Sequence, residues 1–237
     1  PVLLAGELRG VAVIVCADRY EAGRHALERI DPPPEVFILD DGFSHLFLHR
    51  DLDLLAFPAV DPFAGGRLPP GGRLREPLAA SRRASAALLT GDHQGLGRQL
   101  ADCLRPFGFN GPGFSSPTRT LPARLETGEP LASEAGVVAV SGIARPQEFL
   151  DGVREAGFEI RAEIAFPDHH PYPDSSLARI EQAFTETSAA CVLTTVKDRV
   201  KLMGRLQAPL AEVPIRAEPE EAFWSWLDGR IREIAGL

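Results

Sequence analysis

Apolar runs and amphipathic segments alternate along most of the chain. The runs are continuous and rich in β-branched residues, which is typical of strands that are buried on both faces. The segments between them carry apolar residues at helical spacing. The predicted strands are 11–16, 36–40, 52–57, 85–90, 137–143, 158–166, 191–196 and 213–218, and the predicted helices are 18–30, 94–104, 146–156, 175–189 and 220–235. This alternation predicts an α/β fold with parallel sheets.

Residues 106–135 interrupt the alternation. They are dense in glycine, proline and serine, and TRTLPARL (118–125) is the only strand-like piece among them. Such a composition is typical of loops and domain boundaries. We therefore predict two α/β domains, 1–112 and 136–237, joined by a linker ribbon over 113–135.

Composition excludes several classes of protein. The formal net charge of -8 argues against nucleic-acid binding, which needs clustered basic residues. Cys16, Cys103 and Cys191 lie far apart in the sequence and form neither a zinc motif nor a disulfide framework, so we expect a reducing cytoplasm. The longest apolar runs are far shorter than the roughly 20 residues that a membrane span requires.

The stretch VFILDDGFSH (36–45) ends a predicted strand on two adjacent carboxylates, Asp40 and Asp41. Ligands of open α/β folds bind at the carboxyl ends of the strands, and Mg²⁺ prefers oxygen ligands. The pair could therefore hold a cation. Asp-Asp-Gly is also favourable turn chemistry, so an acidic turn with no bound ion remains the alternative.

The loop DPFAGGRLPPGGRLREPL (61–78) carries Arg67, Arg73 and Arg75. Guanidinium groups and exposed backbone N–H groups suit an anionic, phosphate-bearing ligand. Loops of this length within α/β domains are often functional. A solvated loop without a ligand is the alternative.

Two further stretches follow predicted strands in the second block. FPDHHPYPD (166–174) places Asp168 beside His169 and His170, and a carboxylate next to an imidazole can prepare it for proton transfer. A capped helix start with surface histidines is the alternative. TTVKD (194–198) places Lys197 where it could meet a phosphate or pair with a helix-terminal acid.

In this order, the stretches LDDGFSH, RDLDLL, GRLPPGGRLREPL, SGIARPQEFL, FPDHHPY and TTVKD resemble tetraacyldisaccharide 4'-kinase, the lipid A biosynthetic kinase. The resemblance implies two α/β/α domains, Rossmann-like and related to P-loop NTPases, joined by a short two-stranded linker. The first domain would bind the nucleotide. It also implies ATP and Mg²⁺, and transfer of the γ-phosphate to the 4'-hydroxyl of an acylated glucosamine disaccharide 1-phosphate, which gives lipid IVA. The expected location is the cytoplasmic face of the bacterial inner membrane.

The resemblance assigns roles residue by residue. The implied roles are metal binding for Asp40 and Asp41, catalysis for His169 and Asp168, substrate binding for His45, Arg67, Arg73 and Arg75, and nucleotide binding for Ser44 and Lys197. The chain departs from the family's usual motifs at Ser44, where glutamine is typical, and at Val196, where glutamate is typical.

A Walker A loop, G-x-x-x-x-G-K-[ST], does not occur in the sequence. In the family this loop precedes the region where Pro1 stands, so we expect a chain trimmed before Pro1 and inactive by itself, because phosphoryl transfer depends on that phosphate cradle. A non-catalytic lipid-sugar or nucleotide-binding module of the same fold is the main alternative. A metal-dependent phosphoesterase that uses the histidine pair is a further one.

Overall fold

The computed structural model describes residues 2–237, so Pro1, where the expected trimming point lies, is outside the described residues. The helices are α1 (Val2–Glu7), α2 (Arg19–Arg29), α3 (Gly97–Leu104), α4 (Pro146–Glu155), α5 (Asp174–Thr187), α6 (Val196–Leu202) and α7 (Glu221–Ala235). The strands are β1 (Leu54–Pro58), β2 (Ala86–Thr90), β3 (Gly113–Ser116), β4 (Thr118–Thr120), β5 (Arg124–Leu125), β6 (Gly136–Ser141), β7 (Glu159–Ala165), β8 (Cys191–Thr195), β9 (Leu210–Val213) and β10 (Ile215–Ala217). The predicted α/β fold is confirmed.

The chain divides into two compact units. The three-stranded unit comprises Ile14–Arg119 and Ala217–Leu237, and the five-stranded unit comprises Thr120–Arg216 with the residues up to Val13. The chain passes from one unit to the other between Val13 and Ile14, within β4 and within β10. Strands β4 and β10 pair as a two-stranded sheet. The domain boundaries given by the sequence stay a prediction.

The three-stranded unit contains a parallel sheet in the order β1-β2-β3. Alternate residues of β2 enter two clusters on opposite faces, because successive side chains of a strand point to opposite sides. On one face Leu89 packs with α3. On the other face Phe223 of α7 packs against Phe114 of β3, with ring centroids 5.6 Å apart. Both faces of this small sheet are therefore covered by helices.

The five-stranded unit contains a sheet in the order β5-β9-β8-β6-β7. Strands β6 to β9 run parallel, and β5 pairs antiparallel with β9. Val137 of β6 packs with Phe149 of α4 on one face, and Val138 packs with Ile180 of α5 on the other. The carboxyl ends of β7 and β8 lead into the segments that carry the predicted site residues of this unit, Asp168, His169 and Lys197.

The predicted strands 11–16 and 36–40 are wrong. Both segments are irregular, and Val15 and Ile38 are 71% and 89% exposed. A parallel strand is held by hydrogen bonds to its neighbours, and within residues 2–237 neither segment pairs with another strand. Apolar runs alone therefore did not specify strands here.

Two other strand predictions need correction. The predicted strand 213–218 is two strands, β9 and β10, since Pro214 between them cannot donate a ladder hydrogen bond. The sequence also missed β3, whose residues Gly-Phe-Ser-Ser include only one strong strand former, Phe114. Its pairing with β2 and its complete burial make it a strand. A Cβ atom on Gly113 would lie 2.1 Å from the carbonyl oxygen of Gly97, so glycine lets α3 approach this strand.

Across residues 2–237, no helix combines the length and the apolar character that crossing a membrane would require.

Candidate functional site

Asp40 and Asp41 lie in an exposed turn rather than at the end of a paired strand. Asp41 has a positive φ of 56°, which aspartate tolerates better than most residues. The turn that the sequence left open as an alternative is therefore present. Because both carboxylates are exposed, a ligand could reach them, and their role in metal binding stays a prediction.

Arg50 holds the segment that follows this turn, residues 42–49, which we call the acidic-turn loop. Its side chain is only 13% exposed, and it donates to both carboxylate oxygens of Asp53, at 2.6 and 3.1 Å. It also donates to the carbonyl oxygens of Phe43 (3.4 Å), His45 and Leu48 (2.9 Å). The hydrogen bonds and negative charge of Asp53 raise the pKa of Arg50, against the effect of burial. One guanidinium therefore satisfies three carbonyls of the loop.

The arginine-rich loop meets the acidic turn. Arg75 forms an exposed ion pair with Asp41, and the Ser44 hydroxyl donates to Glu76 Oε1 at 2.7 Å. Burial raises the pKa of Glu76, but the hydrogen bonds from Arg83 and Ser44 and the positive charges of Arg83 and Arg50 together outweigh it, so the pKa lies below its ordinary value. The structure thus brings three residues predicted from different motifs, Asp41, Ser44 and Arg75, onto one surface.

The other predicted site residues of the three-stranded unit are His45, Arg73 and Arg67. His45 is half-buried, and its backbone N–H donates to the Gly42 carbonyl at 3.0 Å. Arg73 is 72% exposed and pairs with Asp61. Arg67 is exposed within its loop. These three side chains remain accessible to an anionic ligand.

Among residues 2–237, no cluster of three or more histidine, cysteine, aspartate or glutamate side chains is arranged to hold a metal ion. Mg²⁺, however, is commonly held by one or two carboxylates, with water and substrate phosphate completing its ligands. The exposed carboxylates of Asp40 and Asp41 fit that donor set. The chemistry of the pair is therefore compatible with the magnesium that the resemblance implies.

His169 lies in the five-stranded unit, on the loop after β7. Its side chain is 87% exposed, and its φ is 59°. The backbone N–H of His169 donates to Asp168 Oδ1 at 3.0 Å and to the Gly142 carbonyl at 3.1 Å. Its ring atom Nε2 lies 3.8 Å from Asp168 Oδ2. The backbone is fixed, while the imidazole is free to meet a substrate.

His170, the neighbouring histidine, is part of the packing. Its ring stacks on Phe166 with centroids 4.4 Å apart, and its Nε2 lies 2.8 Å from Ser176 Oγ. Lys201 donates to its carbonyl oxygen at 3.1 Å. The two histidines of the motif therefore differ, and only His169 presents its ring to solvent.

Lys197 is exposed in the first turn of α6, and the next residue, Asp198, is fully buried. Asp198 Oδ2 accepts from the Gly142 N–H at 2.8 Å and from the Thr195 hydroxyl at 2.9 Å. Asp198 is not among the site residues predicted from the sequence. The spacing Thr-x-x-Asp at the start of α6 was the available signal, because it is a capping-box pattern.

A comparison with known protein families covers nearly the whole chain. A family model described as "Tetraacyldisaccharide-1-P 4'-kinase" matches residues 1–232. The chain belongs to this kinase family. The resemblance recognised in the sequence is therefore confirmed.

Individual members of the kinase family are similar over most of the chain. A tetraacyldisaccharide 4'-kinase of Pelobacter propionicus is 37% identical over 228 residues, which cover 93% of this chain and 60% of the relative. One of Geobacter sulfurreducens is 38% identical over 214 residues, covering 87% and 57%. The chain thus spans somewhat less than two thirds of the length of these relatives.

A solved structure of the kinase family has the same fold. It is described as the "apo" form of LpxK from Aquifex aeolicus in complex with ATP. The similarity has a TM-score of 0.72 at 33% identity, and it covers 99% of this chain and 68% of the other. The predicted relation to the kinase fold is therefore confirmed.

Proposed function

We propose that the protein carrying this chain is an ATP-dependent kinase that phosphorylates the 4'-hydroxyl of a tetraacyldisaccharide 1-phosphate, giving lipid IVA in lipid A biosynthesis. The observation that carries this proposal is the family match over residues 1–232. The product follows from the reaction: the 4'-oxygen attacks the γ-phosphorus, the bond to the β–γ bridging oxygen breaks, and ADP leaves.

In this proposal His169 accepts the proton of the attacking hydroxyl. Support comes from its exposed ring on a fixed backbone. A positioned histidine is the most common group for such proton transfer. The Asp168 carboxylate, 3.8 Å from Nε2, would stabilise the positive charge that the ring acquires. We therefore assign Asp168 a supporting role.

The surface around the acidic turn would bind the phosphates. Asp40 and Asp41 would hold Mg²⁺, which when bound supplies charge neutralisation to the phosphate oxygens. Arg67, Arg73 and Arg75 would receive an anionic group of the disaccharide, because guanidinium forks pair well with phosphate. The remaining assigned contacts are His45 for the substrate, and Ser44 and Lys197 for the nucleotide.

The substrate also suggests where the protein works. A tetraacylated disaccharide lies in a lipid surface, so we propose that the protein acts peripherally at the cytoplasmic face of the bacterial inner membrane. The expectation that this chain is inactive by itself stays a prediction.

The test is His169→Ala in the protein as its gene encodes it, assayed for phosphate transfer from ATP to tetraacyldisaccharide 1-phosphate. We expect kcat to fall on the order of 10²–10⁴-fold, since that is the usual contribution of a general base. His93→Ala, which removes an exposed histidine from the three-stranded unit, is the matched control. Near-normal turnover of His169→Ala would remove this residue from the mechanism. Binding of ATP and disaccharide without any transfer in the wild type would favour the non-catalytic module.

A further inference from the structure

The buried carboxylate of Asp198 is not explained by the chemistry proposed for the surface. It is fully inaccessible, it follows the exposed Lys197, and its nearest cation is Lys201, whose Nζ lies 3.6 Å from Oδ1. Placing a carboxylate in the interior is costly unless hydrogen bonds and a counter-charge compensate for the lost water. Its partners therefore indicate what the residue holds in place.

One of those partners is the N–H of Gly142, on the loop after β6, 56 residues away in the sequence. The Gly142 carbonyl in turn accepts the N–H of His169. The side chain of Asp198, the two polar groups of Gly142 and the backbone of His169 thus form a continuous hydrogen-bonded chain. It leads from the interior to the exposed imidazole.

The surroundings of Gly142 leave this series of hydrogen-bonded groups little freedom to move. A Cβ atom at this position would lie 2.8 Å from the Tyr172 hydroxyl and 3.1 Å from Asp198 Oδ1. Lys201 provides a second connection, since its ammonium also donates to the His170 carbonyl at 3.1 Å. His169 and His170 are therefore both connected to α6 by hydrogen bonds, His169 through Gly142 to Asp198 in the first turn and His170 directly to Lys201 in the last turn.

We propose that Asp198 is a positioning residue for His169, acting through the Gly142 peptide. The catalytic part of this inference rests on the proposed function. The positioning part rests on the hydrogen bonds alone. His169 has a left-handed backbone conformation, which is unfavourable for a residue other than glycine unless the surroundings fix it. The hydrogen bond to Gly142 supplies that restraint.

A simpler role for Asp198 is to cap α6. The Thr195 hydroxyl accepts from the Asp198 N–H at 3.2 Å and donates to its carboxylate, so the pair forms a reciprocal cap. Thr195→Val removes this cap but leaves the bond from Gly142 to Asp198 possible. Asp198→Ala removes the carboxylate that accepts from Gly142 but keeps the backbone N–H at position 198, which can still donate to the Thr195 hydroxyl. Comparing the two variants therefore separates helix capping from positioning.

The first readout is hydrogen exchange of the backbone amides in the peptide 166–172, measured by mass spectrometry on the protein as its gene encodes it. We expect about tenfold faster exchange in Asp198→Ala, since a lost hydrogen bond to a charged group changes an equilibrium by about that factor. Asp198→Asn keeps a weaker acceptor and should show a smaller increase in the exchange rate. It replaces Asp198→Ala as the test variant if Asp198→Ala does not fold. Thr195→Val and the exposed-acid control Asp174→Asn should exchange as the wild type does.

The second readout is the transferase reaction. Asp198→Ala should lower kcat about tenfold, by the same factor as the exchange, with KM unchanged, because the disrupted geometry concerns the reacting proton rather than binding. In the double variant with His169→Ala, removing Asp198 should add little, since residues that act through one another are not additive.

Unchanged exchange at 166–172 in both Asp198 variants, or an equal increase in Thr195→Val, would overturn the positioning role. If exchange responds but His169→Ala retains normal turnover, the proposed role of His169 fails while the positioning role stands. The two hypotheses are therefore distinguished by the same set of variants.

Discussion

Two loops, one in each unit, carry predicted site residues and are held by side chains of opposite charge: the acidic-turn loop carries Ser44 and His45, and the loop after β7 carries Asp168 and His169. Arg50, 13% exposed, donates to three carbonyls of the acidic-turn loop. Asp198, fully buried, accepts one N–H, that of Gly142, and through it reaches His169. Arg50 therefore restrains a segment of several residues, whereas Asp198 restrains a single peptide group. A loop that presents several groups and a loop that presents one ring therefore have different supports.

The two supports also differ in their distance along the chain. Arg50 pairs with Asp53, three residues on, and its carbonyl partners lie within seven residues. Asp198 meets Gly142 across 56 residues, and only because β6 and β8 are neighbours in the sheet. The first support is local, and the second depends on the tertiary fold.

The largest effect on stability is expected from Arg50→Ala, which removes the contacts of Arg50 with the acidic-turn loop. The substitution leaves the Asp53 carboxylate, 14% exposed, and three loop carbonyls without their donor. Breaking a buried pair by removing one partner is strongly destabilising, so we expect a loss of about 3 kcal/mol in the free energy of unfolding. Chemical denaturation measures it.

Arg24→Ala is the matched control, because Arg24 forms only exposed pairs within α2 and should change stability little. Arg50→Lys should recover only part of the loss, since an ammonium cannot reproduce the planar fork. A change no greater than that of Arg24→Ala would mean that the acidic-turn loop is held by other contacts.

A smaller effect on stability is expected from Gly142→Ala, which tests the connection from Asp198 through Gly142 to His169. The added methyl would meet the hydroxyl of Tyr172, which is fully buried and has little room to move. Overpacking of this kind typically costs about 1–3 kcal/mol in the free energy of unfolding. Thermal unfolding gives the stability, and exchange at His169 shows whether the loop moves with it.

Gly152→Ala provides the control for this substitution. Gly152 lies in α4 of the same unit, and the nearest atom to a Cβ there is Thr120 Oγ1 at 3.6 Å, an ordinary contact. Because alanine is the better helix former, this variant should be neutral or more stable. If Gly142→Ala behaves in the same way, the close approach at Gly142 does not restrain the loop.

The sequence predicted local features better than tertiary ones. The helix predicted over 18–30 is present as α2, and Asp18 caps it by accepting the N–H groups of Tyr20 and Glu21, which are close in sequence. In contrast, β3 is a strand only because it pairs with β2, and apolar run 36–40 is not a strand because it pairs with none within residues 2–237. A pattern of residue types contains propensity and spacing, but not the identity of the neighbouring strand.

The same limit applies to the candidate site. Asp41, Ser44 and Arg75 could be selected from the sequence because their residue types match a motif. Glu76, which joins Ser44 to Arg83, lies in the same loop as Arg75 but was not selected, since no spacing rule connects it to a residue 32 positions earlier. Motifs identified the groups that a ligand could meet, whereas the groups that position them required the structure.

The smallest effect on stability is expected from Arg75→Ala. The ion pair between Arg75 and Asp41 is 75% and 70% exposed, and water and salt screen such pairs strongly. The hydrogen bond and charge of Asp41 raise the pKa of Arg75, so the pair persists as an ion pair at neutral pH in the wild type. We expect the unfolding midpoint of Arg75→Ala to equal that of the wild type within error, with Arg73→Ala as a second exposed pair for comparison.

Because Arg75→Ala should leave the fold intact, its effect on phosphate transfer reports on ligand binding alone. A rise in KM for the disaccharide with little change in stability would separate the groups that bind from Arg50, which supports the loop. If instead Arg75→Ala destabilised the protein as much as Arg50→Ala does, the exposed pair would be a structural support. The distinction between a buried residue that positions the loop and an exposed residue that meets the ligand would then fail for this unit.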